Sequence, residues 1–157
     1  MIFTLQCVSD SLAGVLKAGY PDYPVYGSPV PQGTETPCFF IFFMPSTIEG
    51  QVDDRYMRDL GVDIVFLQER DIVDGNAKIL EVAEYLDGAL ELFPYHDRND
   101  GSGGTVPVRT FERQWKIEDG ELHYKLHIKQ RVAVPREPVR MQEMEENDAK
   151  VKKGKEG

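Results

Sequence analysis

The chain reads as an α+β domain: a mostly antiparallel sheet of about four to five strands with two helices packed on one face. Three observations predict it. Two stretches repeat apolar residues at spacings of three and four, around Leu5–Leu16 and Ile79–Leu90. Several other stretches are continuously apolar or alternate, as strands do. The pair Asp119-Gly120 sits between two alternating runs, the sequence signature of a tight hairpin. The order is helix, strands, helix, two strands, and no internal repeat is visible.

The first helix is expected from Ile2 to about Ala18, with Ile2, Leu5, Val8, Leu12, Val15 and Leu16 forming one stripe. Gly19 can take a left-handed cap and Pro21 blocks continuation, so two independent signals stop it. A short edge strand at Val25-Tyr26 follows, then turn chemistry from Ser28 to Gly33. Cys38-Phe39-Phe40-Ile41-Phe42-Phe43 is too short for a typical helix and is followed closely by Pro45, which suits a strand covered on both faces.

From Arg55 to about Gln68, Tyr56, Arg58, Leu60, Val62, Ile64 and Phe66 alternate on one face of a second long strand. Thr47 to Asp54 joins the two strands as a hairpin arm whose charges stay in water, and such an arm is a good docking element. After a start signal at Asp71–Asn76, a second helix places Ile79, Val82, Ala83, Leu86, Ala89, Leu90 and Phe93 on one stripe up to Pro94. Lys78, Glu81, Glu84, Asp87 and Glu91 make its opposite, solvated face.

A flexible loop spans Asp97–Gly104, and Thr105–Val108 begin a strand. The loop lacks the closing Glu and flanking helices of a calcium loop, and the Lys and helix of a phosphate loop. The last hairpin runs from Thr110 to Ile117 and from Glu121 to Val134. It directs Leu122, Tyr124, Leu126, Ile128, Val132 and Val134 to one face, and His123, Lys125, His127, Lys129 and Arg131 to a wet, basic face. Beyond Pro135 periodicity is lost. Six basic and six acidic residues cancel there, so the formal charge of -9 belongs to the body. The expected organisation is one domain over 1–134 and a charged tail over 135–157.

With 157 residues, 8 Phe, 7 Tyr and 41% hydrophobic content, the chain can bury one sizeable core. Its acidity argues against general binding to nucleic-acid phosphates, which needs clustered Lys and Arg. The N-terminus has no basic n-region, and no apolar run approaches the roughly 20 residues that span a bilayer, so no membrane partner is expected.

Chemistry is sparse. Cys7 and Cys38 lie in apolar surroundings and read as reduced core thiols of a cytosolic chain. Pairing either with His96, His123 or His127 would require a thiolate where it is disfavoured. His123 and His127, four apart on a strand, lie about 13 Å from each other, too far to share a metal. No catalytic, cofactor-binding or metal-binding residue is expected, and no cofactor.

Resemblance adds an identity to this outline. Asp22-Tyr23-Pro24-Val25-Tyr26, followed by Thr36-Pro37-Cys38-Phe39-Phe40-Ile41, resembles the start of tail terminator proteins of phages and prophages of Gram-positive bacteria. Arg55-Tyr56-Met57-Arg58 leading into Val62-Asp63-Ile64-Val65-Phe66, then Asp119-Gly120-Glu121-Leu122-His123-Tyr124, are similar to further blocks of that family in the same order. Together they cover roughly Ile2 to Val134. Leu67-Gln68-Glu69-Arg70 departs from the aromatic-Pro expected after the second strand.

The resemblance implies a structural virion protein of the tail or neck, made in the host cytoplasm, that forms a hexameric ring capping the tail tube. Its implied partners are copies of itself, the tail tube protein and head-tail connector proteins. DNA passes through such a ring without sequence-specific contact. Arg55, Tyr56 and Arg58 are the expected subunit-interface residues, with Arg55 and Arg58 pairing with a neighbour's acidic helix face. Two other readings remain at this point: another neck component, such as a stopper or completion protein, and a small monomeric ligand-binding module. An enzyme would lose its activity on Cys38→Ser or His123→Ala.

Overall fold

A computed structural model describes residues 3–27, 34–52, 55–69, 75–98 and 103–133. Helix α1 spans Leu5–Gly19 and opens on Thr4, whose hydroxyl accepts a hydrogen bond from the Cys7 N–H at 3.2 Å. Its stripe of Cys7, Val8, Leu12, Val15 and Leu16 is buried. The helix does end at Gly19, but not through a left-handed glycine. Among the described residues the positive-φ glycines are Gly75, Gly103 and Gly120. The Tyr20 N–H closes the last turn on the Leu16 carbonyl, and Pro21 follows. What Gly19 supplies is room, since a Cβ there would run into the Tyr85 ring.

Strands β1 (Val25–Tyr26), β2 (Cys38–Phe43), β3 (Thr47–Gly50), β4 (Arg55–Leu67), β7 (Phe111–Glu118) and β8 (Glu121–Ala133) form one six-stranded sheet. Its order is β1-β2-β4-β8-β7, with β3 paired to β4 in line with β2. Only β1 and β2 pair in parallel; every other pairing in this sheet is antiparallel. The spine is β4 against β8, in unbroken register from Arg55 opposite Ala133 to Leu67 opposite Glu121.

Alternation along these strands sends Leu60, Val62, Ile64 and Phe66 of β4, and Leu122, Tyr124, Leu126 and Ile128 of β8, to one buried face. Helix α1 and helix α2 (Ala77–Ala89) share a single core with that face. On the opposite face, Cys38, Phe40 and Val65 make a smaller apolar cluster with Tyr26, Phe42 and Leu67. Cys38–Ile41 are accordingly buried on both sides, as the continuous apolar run requires.

The α+β class and the two helices match the sequence reading, but the sheet is larger than the expected four to five strands, with eight strands among the described residues and six of them in one sheet. The excess has two sources. The arm is itself a strand, β3. The second helix stops at Ala89, with the Leu90 N–H on the Leu86 carbonyl, and Phe93 is not on its stripe. Instead β5 (Leu92–His96) pairs with β6 (Thr105–Arg109) in a separate two-stranded sheet. Phe93 and Tyr95 are buried by period-two alternation, and Pro94 lies opposite Pro107. Two prolines can face each other only at a non-hydrogen-bonded pair, since neither donates an N–H.

The final hairpin is the expected two-residue type. Asp119 (φ 52°) and Gly120 (φ 73°) both adopt positive φ, which matches the twist of the flanking strands. A register shift lies between Phe111 and Gln114, with Glu112 at φ 52°. Asp71–Asp74, Val134 and the extension from Pro135 lie outside the described residues.

Candidate subunit interface

Both cysteines are buried. Cys38 is fully buried in β2, and burial pushes its thiol up to about 11, so it stays protonated at neutral pH. Cys7 is buried on α1; the Thr4 hydroxyl bond, first among the causes, lowers its pKa, but the side chain is shielded from solvent. Among the described residues no group of three or more His, Cys, Asp and Glu side chains could hold a metal ion.

The two histidines lie on the sheet face away from the helices, but that face is not simply wet and basic. His123 Nδ1 lies 3.1 Å from Asp63 Oδ2, and His127 Nδ1 lies 2.8 Å from Asp59 Oδ1. Glu121 and Glu112 approach the other ring nitrogens at 3.5 and 3.7 Å. In the β4–β8 register Asp59 faces Lys129 and Asp63 faces Lys125. The surface is therefore an interleaved charge ladder, because β4 contributes acids between the bases of β8. Sequence reading placed the bases correctly but treated β8 alone.

Arg55, Tyr56 and Arg58 open β4, beside the β3 arm. They do not share one face. Tyr56 and Arg58 follow the alternation of Leu60 and Val62 onto the helix side, whereas Arg55 belongs to the opposite side and is exposed. Tyr56 is half-buried against the core. Arg58 lies between Ile48 of β3 and Gln130 of β8. Its Nε is enclosed and has no hydrogen-bond partner among the described residues, which leaves an enclosed donor in want of an acceptor.

Two edges of the sheet stand out: the exposed arm that the sequence predicts, and a second edge that no sequence pattern marks. All four residues of β3 are exposed, including Ile48 at 47%. At the opposite edge of the sheet, β7 is exposed along almost its whole length, with Phe111 at 38% and Trp115 at 41%. The Trp115 signal was present in the sequence as an apolar residue amid charges, but an edge position is set by pairing partners far along the chain. Helix α2 turns Glu81, Glu84 and Asp87 to solvent as expected, whereas Glu91 lies beyond its end and approaches Arg109 at 3.7 Å. Part of that row is already engaged: Glu81 with Lys78 at 2.6 Å, and Asp87 with the Tyr124 hydroxyl at 2.7 Å.

Buried thiols, an exposed arm and edge strands β3 and β7 without a further strand partner among the described residues characterise this α+β domain. The chain belongs to the phage tail terminator protein family, whose model matches residues 8–140. It is thus a structural component of a phage tail. A search of curated proteins finds no match. Among the described residues, no helix is long and apolar enough to cross a membrane.

Proposed function

We propose that this chain is the subunit of a ring, six copies in the reading implied by its family resemblance, that caps the tail tube and connects tail to head. Residues 1–134 form the ring body in this reading and 135–157 a charged extension. The family match over residues 8–140 is the observation that carries it. Its partners are copies of itself, the tail tube protein and the head-tail connector proteins, and DNA passes through without base-specific contact. Assembly takes place in the host cytoplasm.

Two features support a ring-forming subunit. A closed ring needs two different complementary surfaces on each copy, related by a rotation that closes. The arm end of β4 supplies one, with Arg55, Tyr56 and Arg58 as contact residues. The acidic row of α2 on a neighbouring copy supplies carboxylates for the two arginine side chains. A -9 body around a channel also discourages DNA from adhering.

Light scattering on the full chain, alone and with purified tail tubes, tests the reading, with negative-stain imaging of the same samples. The expected result is a ring, or a monomer that becomes a ring on tube ends. A monomer that ignores tube ends contradicts it.

A further inference from the structure

We propose that neighbouring copies join by antiparallel pairing of β3 of one copy onto the open edge of β7 of the next, so that the sheet runs on from subunit to subunit. The proposal rests on the ring reading and names the surfaces that mate within it.

Strand direction comes first. Strands β3 and β8 both run antiparallel to β4, and β7 runs antiparallel to β8. Hence β3 and β7 point in opposite directions at the two edges of the sheet. Repeating the sheet by a rotation that preserves its sense sets β3 of the incoming copy antiparallel to β7. Among the described residues neither edge has a further strand partner, and backbone N–H and C=O groups along such an edge are ready to template a strand. Past the bulge at Phe111–Gln114, β7 is regular from Gln114 to Glu118, long enough for the four residues of β3.

Side-chain facing agrees with this pairing. Ile48 is opposite Arg58 and so lies on the helix side; Trp115 is opposite the buried Tyr124 and lies on that side too. Setting Ile48 opposite Trp115 brings these two exposed apolar residues together, an aromatic beside a β-branched side chain, and places Glu49 opposite Gln114 and diagonal to Lys116, within reach of long side chains. Glu49, opposite Met57, lies on the other side, as does Lys116, opposite His123. A recess of about 270 Å³ opens at this edge, lined by Gln114, Trp115, Lys116, His123 and Lys125. Lys116 and Lys125 line it, Lys116 also 3.0 Å from Glu118, and it can take a further carboxylate such as that of Glu49.

The same placement brings the half-buried Arg58 side chain toward acidic groups of the neighbour. Helix α2 packs beside β7 and β8, with Arg113 of β7 bonded to the Asp87 carbonyl. An arm laid along β7 therefore brings Arg58, on the helix side, next to the acidic row of the neighbour's α2.

The test is a charge swap in the full chain. Glu49→Lys and Lys116→Glu should each abolish the ring, and the combined variant should restore it. Light scattering and imaging on tail tubes give the mass and shape, and circular dichroism confirms that each variant folds. A second readout follows from composition: Trp115 is the chain's only tryptophan. In rings formed by the chain alone, its emission should move to the blue and its quenching by acrylamide should fall. Rings that persist in both single variants, loss without recovery in the combined one, or unchanged Trp115 quenching overturn the edge pairing and leave the ring reading intact. A wild-type chain that forms no ring, alone or on tubes, overturns both.

Discussion

Gly19→Ala is a substitution whose sign depends on which of two effects dominates. Gly19 is the last residue of α1, and replacing glycine by alanine within a helix usually gains up to about 1 kcal/mol of propensity. Here the new Cβ meets the far end of the Tyr85 ring. That ring is not free to move away. Its hydroxyl donates to the Val15 carbonyl at 2.7 Å, and Tyr20 packs edge-on against it with centroids 5.4 Å apart.

Swinging Tyr85 aside forfeits a hydrogen bond of about 1 kcal/mol and an aromatic contact of about 1 kcal/mol, and it adds strain of about 1–2 kcal/mol. The losses outweigh the helical gain, so Gly19→Ala should destabilise by about 2–4 kcal/mol. Urea denaturation at constant m-value measures it. The control is the same substitution in a Tyr85→Ala background, where the obstruction is gone and alanine should be neutral or stabilising. A stabilised Gly19→Ala single variant, or an equal loss in both backgrounds, refutes the argument.

Other outcomes follow from the same structure. Thr110 is buried and its hydroxyl donates to the Leu90 carbonyl at 2.6 Å beyond the end of α2, so Thr110→Val should cost about 1–2 kcal/mol in thermal or urea unfolding. Tyr124→Phe removes the bond to Asp87, whose carboxylate can turn to water, and should cost about 1 kcal/mol in the same assay. Cys38 has a folded-state pKa raised from 9.0 to about 11, so its contribution is complete below pH 9 and is lost as pH rises through 11. The urea midpoint of the wild type should therefore fall more steeply between pH 9 and 11 than that of Cys38→Ala, and parallel profiles would contradict this.

What sequence made legible was local. The alternation from Leu122 to Val132 and the Asp119-Gly120 turn specify a hairpin without help from the rest of the chain, and the structure contains it in that form. The α1 stripe is equally direct. Local pattern is ambiguous where two periods fit the same letters: Phe93 continues the helical spacing of Leu86 and Leu90, yet it also alternates with Tyr95. Pairing of Leu92–His96 with Thr105–Arg109, across a loop, decides for the strand. The interface region shows the same limit. Arg55, Tyr56 and Arg58 are adjacent in sequence, but the pleat divides them between two faces, and the exposure of β3 and β7 depends on which strands flank them. Edges belong to the assembled sheet, so no local pattern announces them.

The most direct measurement of the central claim is the length of tail tubes assembling in vitro with and without the purified chain. The account predicts that tubes stop lengthening once the chain is added and that images show a ring of density at one end. Tubes that keep lengthening with bare ends, at concentrations where the chain is folded, would contradict it.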